Sequence, residues 1–130
     1  MDTNDFIGNV FDPNCPSRVV FARIGDKWAT LVIAVLADGP LRFSDVRQRV
    51  QVVTPKVLTH TLRSLERDGL LKRTVYAQVP PRVDYELTPL GQALLVPLTA
   101  LREWAESNAS TMLRAREEYD DDQDATALGL

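Results

Sequence analysis

Proline and glycine punctuate the middle of this 130-residue chain so closely that no long regular element fits between residues 38 and 89. Asp38-Gly39-Pro40, Thr54-Pro55, Gly69, Val79-Pro80-Pro81 and Thr88-Pro89 mark the breaks. Each fixes or frees backbone dihedrals in a way that the interior of a helix or strand does not accommodate. The region is therefore divided into short elements. Two of the breaks are also starts: a Thr hydroxyl can cap free N–H groups, and Pro at the first helical position sacrifices no hydrogen bond.

Between the breaks, the apolar spacing names the elements. From Ser17, the positions Val20, Phe21 and Ile24 predict a helix, and Lys27–Ala37 (KWATLVIAVLA) predicts a second one, apolar enough to be a core element. Phe43, Val46 and Val50 follow i, i+3, i+7, which predicts a short helix over 43–50. The next helix starts at Thr54-Pro55 and runs to Gly69. β-branched and aromatic residues in 70–78 and 82–88 then predict a two-stranded hairpin whose tip is stiffened by Pro80 and Pro81. After Thr88-Pro89, the residues Leu90, Leu94, Leu95, Leu98, Leu101, Trp104 and Ala105 predict a helix to about residue 116, with Pro97 kinking it or being accommodated locally. So much leucine suggests a partner surface as well as a core face. Trp28, Phe43, Tyr76, Tyr85 and Trp104 are expected in the core, with an aromatic ligand pocket at a subunit seam as the open alternative.

The expected architecture is mainly α with a small antiparallel β-hairpin wing (α+β), that is, a winged helix-turn-helix. Residues 1–16 read as an irregular arm in which Phe6, Ile7, Val10 and Phe11 could pack on something. Residues 17–116 read as the domain, and residues 117–130 as an acidic disordered tail.

Composition removes several function classes. One cysteine, Cys15, and one histidine, His60, give neither a disulfide framework nor a metal site, and no cofactor is expected. No apolar run approaches the roughly 18 residues of a membrane span, and MDTNDFIGN lacks the basic and then apolar character of a signal peptide. A cytoplasmic protein without membrane contact is expected. The net charge of −3 speaks against nucleic acid only until it is divided along the chain. Residues 42–82 carry nine Lys or Arg against three acids, whereas residues 103–130 carry two against eight. A basic middle of this kind suits a polyanion, because each phosphate contact releases condensed counterions; a solvated face of mixed charges is the plain alternative.

The helix after Thr54 sharpens the point. At 100° per residue, Val57, Leu58, Thr61, Leu62 and Leu65 share one side, and Lys56, Thr59, His60, Arg63 and Arg67 share the other, with Glu66 and Asp68 off that stripe. A stripe with three cations and no acid suits phosphates and base edges. Thr54, Lys56, Thr59, His60 and Arg63 are thus the candidates for reading DNA in the major groove. Lys72, Arg73 and Arg82 flank the wing as candidate phosphate contacts, with Arg73 alternatively paired to Glu86 across the hairpin. Arg42 and Ser44 could touch the backbone at the start of the preceding helix, although Ser44 could equally act as a cap.

Several separated blocks, GDKW, DGPLRFSDV, TPKVLTHTL, LERDGL and VPPRVDYELTPLG, resemble in order and spacing the HxlR-type family of bacterial winged helix-turn-helix regulators, over about residues 15–106. The resemblance implies a homodimeric DNA-binding transcription regulator, commonly a repressor, that dimerises through its N-terminal and C-terminal helices. Val20, Phe21, Leu94, Leu98, Leu101 and Trp104 are the candidate dimer residues. It also implies that the Cys-Pro pair before the first helix occupies a position where some members sense electrophiles or disulfide stress, so an electrophile or other small-molecule inducer is an open partner. A helix N-terminus and Arg18 would favour the Cys15 thiolate; a buried, inert cysteine is the alternative. With no second cysteine, any disulfide must join Cys15 to its counterpart in a partner or to a small thiol. Two rival functions are a winged-helix protein–protein adaptor and a thiol enzyme built on Cys15. The latter lacks a resolving cysteine and any nearby base.

Overall fold

In a computed structural model of the chain, residues 8–129 are described; the expectation for Phe6 and Ile7 falls outside them. The order is α1 (Ser17–Ile24), α2 (Lys27–Val35), β1 (Leu41–Arg42), α3 (Phe43–Val50), α4 (Pro55–Arg67), β2 (Leu71–Tyr76), β3 (Arg82–Leu87) and α5 (Pro89–Ala127). The chain divides into two compact units, Met1–Leu95 and Val96–Leu130, and α5 contributes residues to both. Among the described residues no helix is long and apolar enough to cross a membrane.

The helix starts follow from their side chains. Asp26 Oδ1 accepts from the backbone N–H of Trp28 at 3.0 Å and of Ala29 at 3.2 Å, which caps α2. Thr54 Oγ1 accepts from Val57 N–H at 3.2 Å, with Pro55 in the first turn of α4. Helix α4 stops at Arg67 rather than Gly69 because Gly69 takes φ +76°. The Leu70 N–H then reaches Leu65 O and the Gly69 N–H reaches Glu66 O, satisfying carbonyls that the helix leaves open. The turn between α3 and α4 is less comfortable: Gln51 and Val52 have φ of 62° and 52°, where side chains are normally disfavoured.

The core of the first unit gathers Ala29, Val32, Ile33 and Leu36 from α2 and its end, Val46 from α3, Val53 from the turn, and Leu58, Leu62 and Leu65 from α4, all buried. Leu71 and Leu87 extend it beneath the sheet. A fully buried Leu or Ile contributes about 1.5–3 kcal/mol, so this cluster fixes how α4 sits against the other helices. Arg23 of α1 is tied to Asp68 at the end of α4 by a 2.7 Å ion pair.

Three features depart from the sequence expectations. The sheet has three antiparallel strands in the order β1-β3-β2, because Leu41 and Arg42 pair with Tyr85 and Asp84 of β3. Arg42 is therefore extended rather than helical. The stretch expected to be disordered from residue 117 continues α5 to Ala127. No Gly or Pro occurs between Leu98 and Leu128, and Ala, Arg and Glu suit a helix; Pro97 lies within the same helix. Finally, Val57, Tyr76 and Trp104 are exposed rather than core, whereas Trp28, Phe43 and Tyr85 are half-buried. Val57 sits in the first turn of α4, ahead of the buried row that begins at Leu58.

Candidate nucleic-acid interface

The buried row Leu58, Thr61, Leu62 and Leu65 turns the opposite side of α4 to solvent. Lys56, His60, Arg63 and Arg67 are exposed there, and Thr59 is half-buried beside them. Thr61 does not compete for this face, because its hydroxyl donates to Val57 O at 2.9 Å within the helix. Thr54 is exposed at the head of α4, with its side-chain oxygen accepting the capping bond. Arg47 stiffens the approach from α3 by donating from Nε to Val53 O at 3.3 Å.

Arg42 and Ser44 are both exposed. Arg42 holds the N-cap position of α3 and makes no side-chain cap, so Ser44, inside the first turn, is not the cap that sequence allowed.

The hairpin register decides how the wing cations are used. Lys72 stands opposite Glu86 and Arg73 opposite Tyr85, so the alternative cross-strand pair of Arg73 with Glu86 is not formed. Arg73 reaches instead to the helix, with Nε 3.5 Å from Glu66 Oε1. Arg82 is held by Asp84 of its own strand and by Tyr76 of β2. Its Nε and Nη2 donate to the two Asp84 oxygens at 3.1 and 2.8 Å, and its guanidinium lies 4.7 Å from the Tyr76 ring centroid.

Asp84 is the functional-site neighbour that sequence reasoning passed over. The hydrogen bond from Arg82 holds its carboxyl below the usual carboxylate range, against the upward pull of burial, and the charges of Arg82 and Arg42 act in the same direction as that bond. The same hydrogen bond and charge raise the Arg82 pKa above its usual value. The signal was available in the sequence, since residues two apart on a strand share a face and Asp84 is two from Arg82.

Glu66, Arg73 and Tyr85 come together with Thr59, Leu62 and Arg63 around a cleft of about 160 Å³ between α4 and the hairpin. Burial raises the Tyr85 phenol pKa, aided by the Glu66 charge and opposed by Arg73 and Arg63. Tyr85 is therefore a neutral O–H near neutral pH.

Cys15 lies apart from these groups in sequence and is buried, at 7% exposure. The Asn9 backbone N–H donates to its Sγ at 3.1 Å, and Ser17 Oγ lies 2.9 Å from the same sulfur. Burial pushes the thiol pKa up, but the hydrogen bonds from Ser17 and Asn9 outweigh it and leave the pKa below its ordinary value. The local hydrogen bonds, more than Arg18, create this environment.

Of the candidate dimer residues, Val20, Phe21, Leu101 and Trp104 are exposed, Leu94 is half-buried and Leu98 is buried.

Residues 23–112 match the model of the HxlR-like helix-turn-helix family. The chain is 41% identical over 111 residues to the uncharacterised HTH-type transcriptional regulator YtfH of Escherichia coli (strain K12), an alignment covering 85% of this chain and 88% of that protein. Its fold is similar to the putative transcriptional regulator ytfH from Salmonella typhimurium, with a TM-score of 0.78 and 42% identity over 85% of this chain and 99% of the other. It is also similar to the redox regulator HypR in its oxidised form, with a TM-score of 0.67 and 40% identity over 72% and 97% of the two chains. With the winged helix-turn-helix architecture and the cationic face of α4, these matches make the chain a member of the HxlR-like helix-turn-helix family, a DNA-binding transcriptional regulator of HTH type.

Proposed function

We propose that the protein acts as a homodimer on a pseudo-palindromic operator and represses transcription there. Each protomer places α4 in a major groove, the two grooves lying about one turn (~34 Å) apart. The observation that carries this reading is the outward face of α4, where Lys56, His60, Arg63 and Arg67 are exposed with no acid among them and the opposite row is buried. Thr54, Lys56, Thr59, His60 and Arg63 read or approach base edges. Arg42, Ser44, Lys72 and Arg73 serve the phosphates, and Arg82 contributes only the part of its guanidinium that Asp84 leaves free. The exposed apolar residues Val20 and Phe21 on α1 and Leu101 and Trp104 on α5 suit a subunit interface.

Fluorescence anisotropy of the reduced protein on the duplex upstream of its own gene, against a scrambled duplex and across a salt series, tests the reading. A preference of about a thousandfold that falls steeply with salt is expected, together with its loss in Arg63→Glu. Equal, weak binding to both duplexes by the unaltered protein points to the protein–protein adaptor. Repression is read separately, as reduced transcript from that promoter in a purified system.

A second reading has its own support: Cys15 is a thiol sensor for an electrophile or oxidant. It rests on the hydrogen bonds that lower the thiol pKa and on the likeness to a redox regulator. Diamide treatment is expected to abolish operator preference in the unaltered protein and to leave Cys15→Ser unaffected. Identical responses from the two proteins would remove the sensor role.

A further inference from the structure

We propose that the cleft between α4 and the hairpin seats one phosphate of the DNA backbone, held jointly by Arg63 from the helix and by Arg73 and Tyr85 from the sheet. The inference rests on the DNA-binding reading and deepens it: it assigns Arg63 and Thr59 to the backbone flanking the bases, leaves base edges to Thr54, Lys56 and His60, adds Tyr85 to the interface and gives Glu66 a part in it.

The lining selects the ligand class. Thr59, Arg63, Arg73 and Tyr85 all carry donors, and the one carboxylate, Glu66, is already engaged with Arg73 at 3.5 Å. Among the described residues Arg63 makes no ion pair. A cation would meet two guanidinium groups. An apolar ligand would find only the Leu62 wall. An oxyanion matches the set, because guanidinium forks take phosphate oxygens in pairs and the two hydroxyls complete the shell. The Tyr85 phenol is protonated at neutral pH, as a tyrosine ordinarily is, and burial shifts its pKa further up, so it can donate.

The position of the cleft names the source of that oxyanion. Thr59 and Arg63 belong both to the cleft and to the outward stripe of α4, so a helix lying in the major groove brings the flanking phosphodiester strand to this notch. Glu66 then acts as a placeholder. Its exposed pair with Arg73 is of the weak class, so it keeps the guanidinium at the cleft in the free protein and yields it to phosphate in the complex.

The test uses the full-length protein on its operator duplex and on a random duplex. Arg73→Gln is expected to weaken both alike and to reduce the slope of log K against log salt by about one. Tyr85→Phe is expected to weaken both about fivefold with the slope unchanged, because a neutral donor displaces no counterion. A series of operators carrying one neutral methylphosphonate linkage at a time adds a readout that a merely structural role would not move. One linkage per half-site is expected to weaken the unaltered protein yet to have no further effect on Arg73→Gln. An unchanged salt slope in Arg73→Gln, or equal sensitivity of both proteins to every linkage, overturns the proposal. So does a rise in melting temperature with inorganic phosphate at fixed ionic strength that Arg73→Gln lacks, if it accompanies an unchanged slope, for the seat would then serve a free oxyanion. Failure of the unaltered protein to bind either duplex defeats the DNA-binding reading itself, a result distinct from these.

Discussion

An acid that holds an arginine decides where that arginine's charge is presented. Asp84 fixes Arg82 by two hydrogen bonds and faces Arg42 in the β1–β3 register. Because its folded-state pKa is depressed, the pair stabilises the fold fully above the unfolded value of about 3.8 and ceases to do so as the pH falls through the lower folded value. Asp84→Asn is therefore expected to melt below the unaltered protein at neutral pH, with the gap closing as the pH drops below that range. A gap constant from neutral to strongly acidic pH would show that the charge on Asp84 does not contribute. Cys15 is the other residue whose neighbours decide its chemistry. Its thiolate, followed by ultraviolet absorbance, is expected to form with a midpoint below the ordinary 9.0, and Ser17→Ala is expected to move that midpoint upward. A midpoint unmoved by the substitution would transfer the effect to the backbone amides alone. Neither environment follows from composition: Asp84 shares a strand face with Arg82, but its part in the β1–β3 pairing is tertiary.

At the scale of elements, the start of α5 is tied closely to the turn between α4 and β2. The Thr88 hydroxyl donates to Gly69 O at 2.6 Å and accepts from Gly91 N–H at 3.2 Å, and the Thr88 N–H reaches Leu70 O at 3.1 Å. A Cβ at Gly91 would run into that same Leu70 carbonyl. Gly91→Ala is accordingly expected to destabilise the protein by about 1–3 kcal/mol, as overpacking does, because backbone on both sides must shift. Denaturant unfolding measures it, and a loss within error of zero would mean that α5 is not held there. Much of this level was legible in the sequence. The start of α4 was announced by Thr54-Pro55 and its buried row by Leu58, Thr61, Leu62 and Leu65, because a cap and a 3.6-residue period are local signals. Leu41–Arg42 was not legible, since two residues carry no period and the strand exists only by pairing with β3. The cationic stripe of α4 was equally visible, but the cleft beside it was not, because Glu66 and Tyr85 meet only after the hairpin has folded back.

At the scale of the whole molecule, a chain with net charge −3 carries a middle segment, residues 42–82, in which nine Lys or Arg stand against three acids. The acidic residues that reverse the sum are concentrated beyond Arg116, where Glu117, Glu118, Asp120, Asp121, Asp122 and Asp124 occur without a single Lys or Arg. They lie on the last turns of α5, and no acid there is paired among the described residues. Charges that form no local pair act through the summed field, which reaches about 10 Å at 0.1 M salt and about 30 Å at 0.01 M. Their effect on any approaching duplex is repulsive and independent of its sequence. Removing residues 117–130 reverses the sign of the net charge and leaves every residue of α4 and the hairpin in place. The shortened protein is expected to bind random duplex about tenfold more tightly at low ionic strength, with the difference shrinking as salt is added. Operator preference, measured as the ratio of specific to random affinity, should then fall, because base contacts are untouched while the background rises. Equal random-duplex affinity for the two proteins at low salt would show that the acidic turns are screened from the DNA-binding face; a gap that persists at high salt would identify a direct contact in place of a field.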